Sequence, residues 1–286
     1  MSKIKIVTDS TAGLTDEEIT EYDINIIPLS VMIDDTVYTE RETITNEEFY
    51  EKMKTAKGLP KTSQPPLGKF INKFDELGAD GSEILSINLD SKISGTYKTA
   101  CEAANLSKSN VKVIDSLTTD RSLAFQVIKA AEMSKQGKSI NEIIKSVDEV
   151  RKNTKLYMGI LNLDNIVKGG RLKPWAGAIS NLLNIKVIVK LVNGEITVDS
   201  KGRGLKSIHK YFTQHVYPEM QEILKHKNKN IKSIGISYVG STDFTNKIKD
   251  EVQAICPNIQ VVMRETVPII ATYGGLGAFA LMYYSE

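Results

Sequence analysis

The chain is poor in the residues from which most catalytic and metal centres are made. It holds three histidines and two cysteines in 286 residues. Cys101 and Cys256 stand alone, with no C-x-x-C pattern, which excludes a zinc ribbon or disulfide framework and reads as reduced, buried thiols. His209, His215 and His226 fall in or beside one long surface-type helix, without metal-ligand spacing or a nearby nucleophile motif. No G-x-S-x-G elbow, G-x-x-x-x-G-K-[ST] phosphate loop or G-x-G-x-x-G dinucleotide fingerprint occurs. The expectation is no catalytic residue, no metal and no cofactor. A dominant charge is missing too: 37 basic residues face 35 acidic ones, a net charge of +2. No long-range field collects nucleic acid or an anionic membrane.

Long apolar runs are also scarce. The opening MSKIKIVTDS has no signal-peptide core, so a cytoplasmic location is expected. Residues 266–285 carry no charge and match a membrane span in length. Pro268, Gly274, Gly275 and Gly277 interrupt them, so the stretch reads as a strand, a glycine turn and a buried helix over Leu276 to Tyr284, with no integral membrane segment.

The chain has globular proportions, 41% hydrophobic and 25% charged, and a length that fits two domains. Its first half alternates short β-branched runs (KIKIV, EILSINL, VKVI) with amphipathic stretches, the pattern of a parallel sheet flanked by helices. Near Asn162–Pro174 a polar, glycine-bearing connection marks a change of character. Asn193-Gly194 then suits a type I′ hairpin turn, a long helix is expected over about 205–225, and strands near 231–239 and 259–264 complete a second α/β unit. The expected fold is α/β: an N-terminal domain with a parallel sheet over 1–156 and a second α/β domain of mixed sheet over 157–286.

Four segments carry candidate chemistry. Thr62-Ser63-Gln64-Pro65-Pro66 presents two hydroxyls and an amide in a proline-stiffened loop, which suits an anion or an ordinary turn and helix cap. Ser94, Gly95 and Thr96 open a helix directly after a strand, where backbone N–H groups and the dipole favour a carboxylate or phosphate; Ser94 as a plain N-cap fits equally well. Lys168-Gly-Gly-Arg171-Leu-Lys-Pro174 reads as an anion clamp or an interdomain linker, and Arg203 as a further basic point. Ala271-Thr-Tyr273-Gly-Gly-Leu-Gly-Ala278 reads as small-residue helix packing or part of an apolar wall. Asp9-Ser10 and Asp115-Ser116 form an echo at the carboxyl ends of two strands, the edge where ligands sit in open α/β sheets, or where Asp and Ser cap turns.

Taken in order, Val7-Thr-Asp-Ser-Thr11, Thr62-Ser-Gln-Pro65, Ser94-Gly-Thr96, Asp115-Ser116, Lys168-Gly-Gly-Arg171 and Gly275-x-Gly-Ala278 resemble the DegV family of bacterial fatty-acid-binding proteins, which includes the acyl-binding subunits of fatty acid kinase. The resemblance implies a two-domain α/β protein that buries a long-chain fatty acid between or within its domains. Its carboxylate would be held by Thr62 and Ser94, with Ser63, Gly95, Thr96, Arg171 and Tyr273 around it, and in the kinase system presented to a separate ATP-using subunit. Members that serve the kinase usually carry His where this chain has Tyr273 and Pro where it has Leu276, and a small hydroxyl residue is common where it has Pro66. Tyrosine still donates a hydrogen bond but does not become a cation near neutral pH. The alternative is an enzyme acting on a phosphorylated or small carbonyl metabolite, built on Ser94 and the basic loop.

Overall fold

The computed structural model describes residues 4–172, 185–227, 229–240 and 242–286. The chain forms two compact units, the first comprising residues up to Thr45 with Pro60–Lys152, the second Asn46–Leu59 with Asn153–Glu286. This differs from a division at 156/157 in one respect that matters: residues 46–59 leave the first half and join the second unit.

In the first unit the elements are β1 (Ile4–Asp9), α1 (Asp16–Tyr22), β2 (Asn25–Ile27), β3 (Ser30–Ile33) and β4 (Thr36–Thr39); the helix α2 (Asn46–Thr55) belongs to the second unit. The first unit resumes with β5 (Lys61–Ser63), α3 (Leu67–Gly78), β6 (Glu83–Asn88), α4 (Thr96–Leu106), β7 (Val111–Asp115), α5 (Asp120–Lys135) and α6 (Ile140–Lys152). Its main sheet runs β2-β1-β6-β7, every pair parallel. Alternate side chains of each strand reach opposite faces. Ile4, Ile6, Leu85 and Ile87 meet Leu123, Ala124 and Val127 of α5 and Ile143 and Val147 of α6. Val7 and Ile84 meet Phe70 and Phe74 of α3 and Ala100 and Ala103 of α4. Both faces are covered, as parallel strands require. A small antiparallel sheet, β4-β3-β5, carries residues 61–63; the loop expected over Thr62–Pro66 thus begins in a short strand.

The start of α1 is tied to α5. Thr15 and Glu18 form a capping box, and the same Glu18 carboxylate takes both ends of the Arg121 guanidinium, Nη1 to Oε2 at 2.5 Å and Nη2 to Oε1 at 2.8 Å. Arg121 is 2% exposed and also donates to the Gly13 carbonyl.

The second unit continues with β8 (Thr154–Ile160), α7 (Asp164–Lys168), β9 (Ile185–Val192), β10 (Glu195–Arg203), α8 (Gly204–Tyr211), a π-helical turn (Phe212–Val216), α9 (Tyr217–Lys225), β11 (Ile231–Tyr238), α10 (Asp243–Ile255), β12 (Val261–Glu265), α11 (Pro268–Gly274) and β13 (Phe279–Ser285). Its sheet is mixed, in the order β10-β9-β8-β13-β11-β12, with β11 and β12 parallel and the other pairs antiparallel. The β9–β10 hairpin turns on Asn193 and Gly194, both at positive φ, as the type I′ reading requires. Residues 204–225 are helical throughout, widened to a π turn just before Pro218, which has no N–H to offer the ladder.

One expectation is overturned. Leu276–Tyr284 is not a helix: the order is helix α11, a glycine turn, then strand β13. Gly275 and Gly277 take positive φ and end the helix, and the apolar run Phe279–Tyr284, buried throughout, becomes a central strand between β8 and β11. Periodicity cannot separate a fully buried strand from a buried helix in so short a run. Among the described residues no helix is long and apolar enough to cross a membrane.

Candidate functional site

The first unit brings two of the predicted motifs together, one on the short strand β5 and one at the head of α4. Thr62 is the middle residue of β5, paired with Val31 and half-buried, whereas Lys61 and Ser63 are exposed. Strand alternation turns Ser63 to the face opposite Thr62. Beyond it, Gln64 Nε2 donates to Thr99 Oγ1 in α4 at 2.5 Å. Gln64 Oε1 occupies the space beside Gly95, 1.9 Å from where a Cβ would stand. The Thr62 loop and the start of α4 are thus locked by Gln64 through the missing side chain of Gly95. The sequence marks the Gln64 amide but not its partner Thr99, 35 residues away.

At the head of α4, Ser94 Oγ accepts from the Thr96 N–H at 3.2 Å and pairs with Thr96 Oγ1 at 2.9 Å. Ser94 is half-buried and Thr96 fully buried. Thr96 therefore stands behind Ser94 and orients its hydroxyl. The first-turn N–H groups of α4 supply the positive end of an 11-residue helix.

Three carboxylates hold the loop that delivers Ser94. From β1, Asp9 accepts the Leu89 N–H at 2.7 Å and the Asn88 amide at 3.4 Å, besides the N–H and hydroxyl of Thr11. From β7, Asp115 Oδ1 accepts the Ser91 and Leu117 N–H groups. Within the loop, Asp90 Oδ1 accepts the Lys92 N–H, and the Asp90 carbonyl accepts from Ile93 and Ser94. Both serines of the Asp-Ser echo are bonded within the protein: Ser10 Oγ donates to buried Glu40 and Ser116 Oγ to the Thr118 carbonyl. Burial raises the Asp9 carboxyl above its ordinary range against the pull of its donors, and pushes Asp90 up to about 6. The carboxyl ends of β1 and β6 flank the point where the sheet order reverses, where open α/β sheets present ligand crevices.

In the second unit, the Arg171 guanidinium lies over the Tyr273 ring, 4.3 Å from its centroid, and Arg171 Nη1 donates to the Gly169 carbonyl at 2.7 Å. The Tyr273 ring fills the place a side chain on Gly169 would take. Asn165 Nδ2 donates to the Thr272 carbonyl and packs against Gly275. Here the glycines of both motifs serve close packing of α7 on α11. Lys168 is exposed, 3.9 Å from Asp164; Lys173 and Pro174 lie outside the described residues. Arg203 is exposed at the end of β10.

His209 is half-buried and bonded to Glu251 at 2.9 and 3.0 Å, while His215 and His226 are exposed. Among the described residues no group of three or more His, Cys, Asp or Glu side chains is placed to hold a metal ion. Cys256 is buried, which pushes its thiol up to about 11; Cys101 is only half-buried.

Comparison with known proteins agrees with this fold. A solved structure described as DegV, a fatty acid binding protein from Bacillus subtilis, is 28% identical and superposes with a TM-score of 0.89, covering 100% of both chains. A Thermotoga maritima protein, whose structure is described as revealing fatty acid binding function, is 26% identical with a TM-score of 0.80, again over 100% of both. Curated relatives include DegV domain-containing proteins of Streptococcus pneumoniae, 40% identical over 99% of this chain and 98% of its own length, and of Listeria monocytogenes, 39% identical over 100% of each. With the DegV family model matching residues 3–286, the ordered motifs, the parallel and mixed sheets and the relatives agree: this chain belongs to the DegV family.

Proposed function

We propose that the chain binds a long-chain fatty acid of the palmitate class in the cytoplasm and holds its carboxylate with the hydroxyls of Thr62 and Ser94. The observation that carries this reading is the Gln64 bridge, which fixes the Thr62 loop against the head of α4, where Ser94 is oriented by Thr96. The described similarity of the Bacillus subtilis and Thermotoga maritima proteins to fatty-acid binders supports the same ligand class. Burying about twelve methylenes at about 0.8 kcal/mol each yields roughly 10 kcal/mol of gross driving force before ordering costs. A buried carboxylate left unpaired would cost several kcal/mol or take a proton, so convergent hydroxyls and helix N–H groups are needed. Gly95 admits the close approach; Arg171 stacked on Tyr273 offers a cationic, hydrogen-bonding edge in the second unit. Ser63, turned to the other face, is left out of the carboxylate set.

Native mass spectrometry of the purified protein tests the ligand class: a bound mass of a C14–C20 acid supports the carrier, and a phosphometabolite or nucleotide supports the enzyme reading. Calorimetry with delipidated protein should show palmitate uptake, weakened about tenfold or more by Thr62→Ala with Ser94→Ala, since each removes a charge-assisted hydrogen bond. No uptake by the wild type would end the proposal. Presentation of the bound carboxylate to an ATP-dependent kinase subunit is the finer reading. It expects a partner retained in pull-downs with fatty acid present, and a Tyr273→His variant that serves a kinase better than the wild type does.

A further inference from the structure

The turn that places Ser94 contains a carboxyl group with no evident reason to be charged. Asp90 is 0% exposed. Its Oδ1 accepts the Lys92 N–H at 2.9 Å, its carbonyl accepts the N–H of Ser94 at 3.1 Å, and its own N–H donates to the Thr118 carbonyl. The other oxygen, Oδ2, is buried and has no hydrogen-bond partner among the described residues. A buried carboxylate with one bare oxygen favours its neutral form. Burial outweighs the groups around it, of which the Lys92 N–H bond favours the charged form. Asp115, at the end of β7, adds like charge; Lys92, in the same turn, opposes it and is exposed. Asp9, one strand away, holds the preceding residue, Leu89. Burial places the titration of Asp90 at about 6 in the unliganded chain.

An anionic head group at Ser94 would sit one turn of chain from this carboxyl. A second negative charge so close disfavours ionisation of the first. Resting on the fatty-acid reading above, we infer that Asp90 is a proton-linked positioning residue: it takes up a proton when a carboxylate binds at Ser94, so that the neutral side chain keeps the turn in place without repelling the ligand. The balance is simple. One proton moves from solvent to Asp90 Oδ2 and no other bond changes. The Lys92 N–H remains bonded to Oδ1, which stays a carbonyl oxygen.

Linkage sets the sign. Because binding raises the proton affinity of Asp90, affinity for the anion rises as pH falls through the range around 6. Above about 8 the proton must be drawn from dilute solution, and affinity is lowest. Free palmitate, ionised over this range, has no proton to release, so a proton taken up on binding goes either to the protein or to the buried ligand carboxylate; loss of the uptake in Asp90→Asn assigns it to Asp90.

The test is calorimetry of delipidated full-length protein with submicellar palmitate, at pH 6.5 in two buffers of different ionisation enthalpy, and affinity at pH 5.5 and 8. The wild type should take up a fraction of a proton and bind about three- to tenfold tighter at pH 5.5 than at pH 8. Asp90→Asn preserves the Oδ1 acceptor and cannot titrate; its uptake should vanish and its affinity at pH 8 should rise to the wild-type value at pH 5.5. A structural role alone would lower affinity at every pH and leave the uptake unchanged, and that result overturns the inference while leaving fatty-acid binding intact. Absence of palmitate binding at any pH overturns both. Should Asp90→Asn not fold, wild-type binding of hexadecyl sulfate, whose head group does not titrate in this range, decides: uptake supports the inference, and binding of both ligands without uptake overturns it.

Discussion

A methyl group on Gly95 would lie 1.9 Å from Gln64 Oε1, and Gln64 is an exposed, flexible side chain, so the group that must move can move cheaply. Gly95→Ala should therefore leave stability within about 1 kcal/mol of the wild type, the backbone there being helical rather than left-handed. It should nevertheless break the Gln64–Thr99 bond and weaken palmitate binding. Gln64→Ala should weaken it to a similar degree, and the double variant no further, because both remove the same bridge; additive losses in calorimetry would refute the bridge. Cysteine reactivity separates the two thiols at the same scale. With its titration at about 11, Cys256 is about one part in a thousand thiolate at pH 8 and is buried besides. Ellman's reagent should find at most one fast thiol, Cys101, in the folded protein and two in denaturant. Thr62 and Ser94 can be proposed from sequence because each belongs to a short motif in a recognisable order. Gln64 stood inside one of those motifs, but its role depends on a partner 35 residues away that no local pattern encodes.

At the scale of elements, the α1–α5 junction carries a buried ion pair in which Glu18 serves two ends at once, as the capping residue of α1 and the counter-ion of Arg121. Removing one partner strands the other charge. Glu18→Gln should cost about 3 to 5 kcal/mol in urea unfolding, more than a capping residue alone contributes, whereas Glu18→Gln with Arg121→Met should recover much of the loss. Equal losses in single and double variants would show that the charge is not what matters. Most elements followed from the alternation of apolar runs and amphipathic stretches, since strands buried on both faces and helices with one apolar face leave different periods. The exception, Phe279–Tyr284, is apolar at every position, and its assignment rests on which strands flank it, which is tertiary information. The same limit applied to the Asp-Ser echo: position at a strand end was readable, whereas the loop each carboxylate grips belongs to the neighbouring strand, β6.

For the whole molecule, the division into units is discontinuous, and helix α2 is a constituent of the second unit despite its place in the first half of the chain. Phe49 and Tyr50 are buried, and the Tyr50 hydroxyl donates to the Thr266 carbonyl at 2.7 Å. A fragment of residues 153–286 should be poorly folded by circular dichroism and should gain structure when a peptide of residues 44–59 is added; a stable fragment without the peptide would contradict this. Composition could not reveal the exchange, because α2 looks like any amphipathic helix and its address is set by a partner 216 residues away. That separation also has a meaning in time. A ribosome adding about 5 to 20 residues per second reaches Thr266 about 10 to 40 s after Tyr50. Through that interval the nascent chain carries two aromatic side chains whose burial site has not yet been made, a natural foothold for a chaperone.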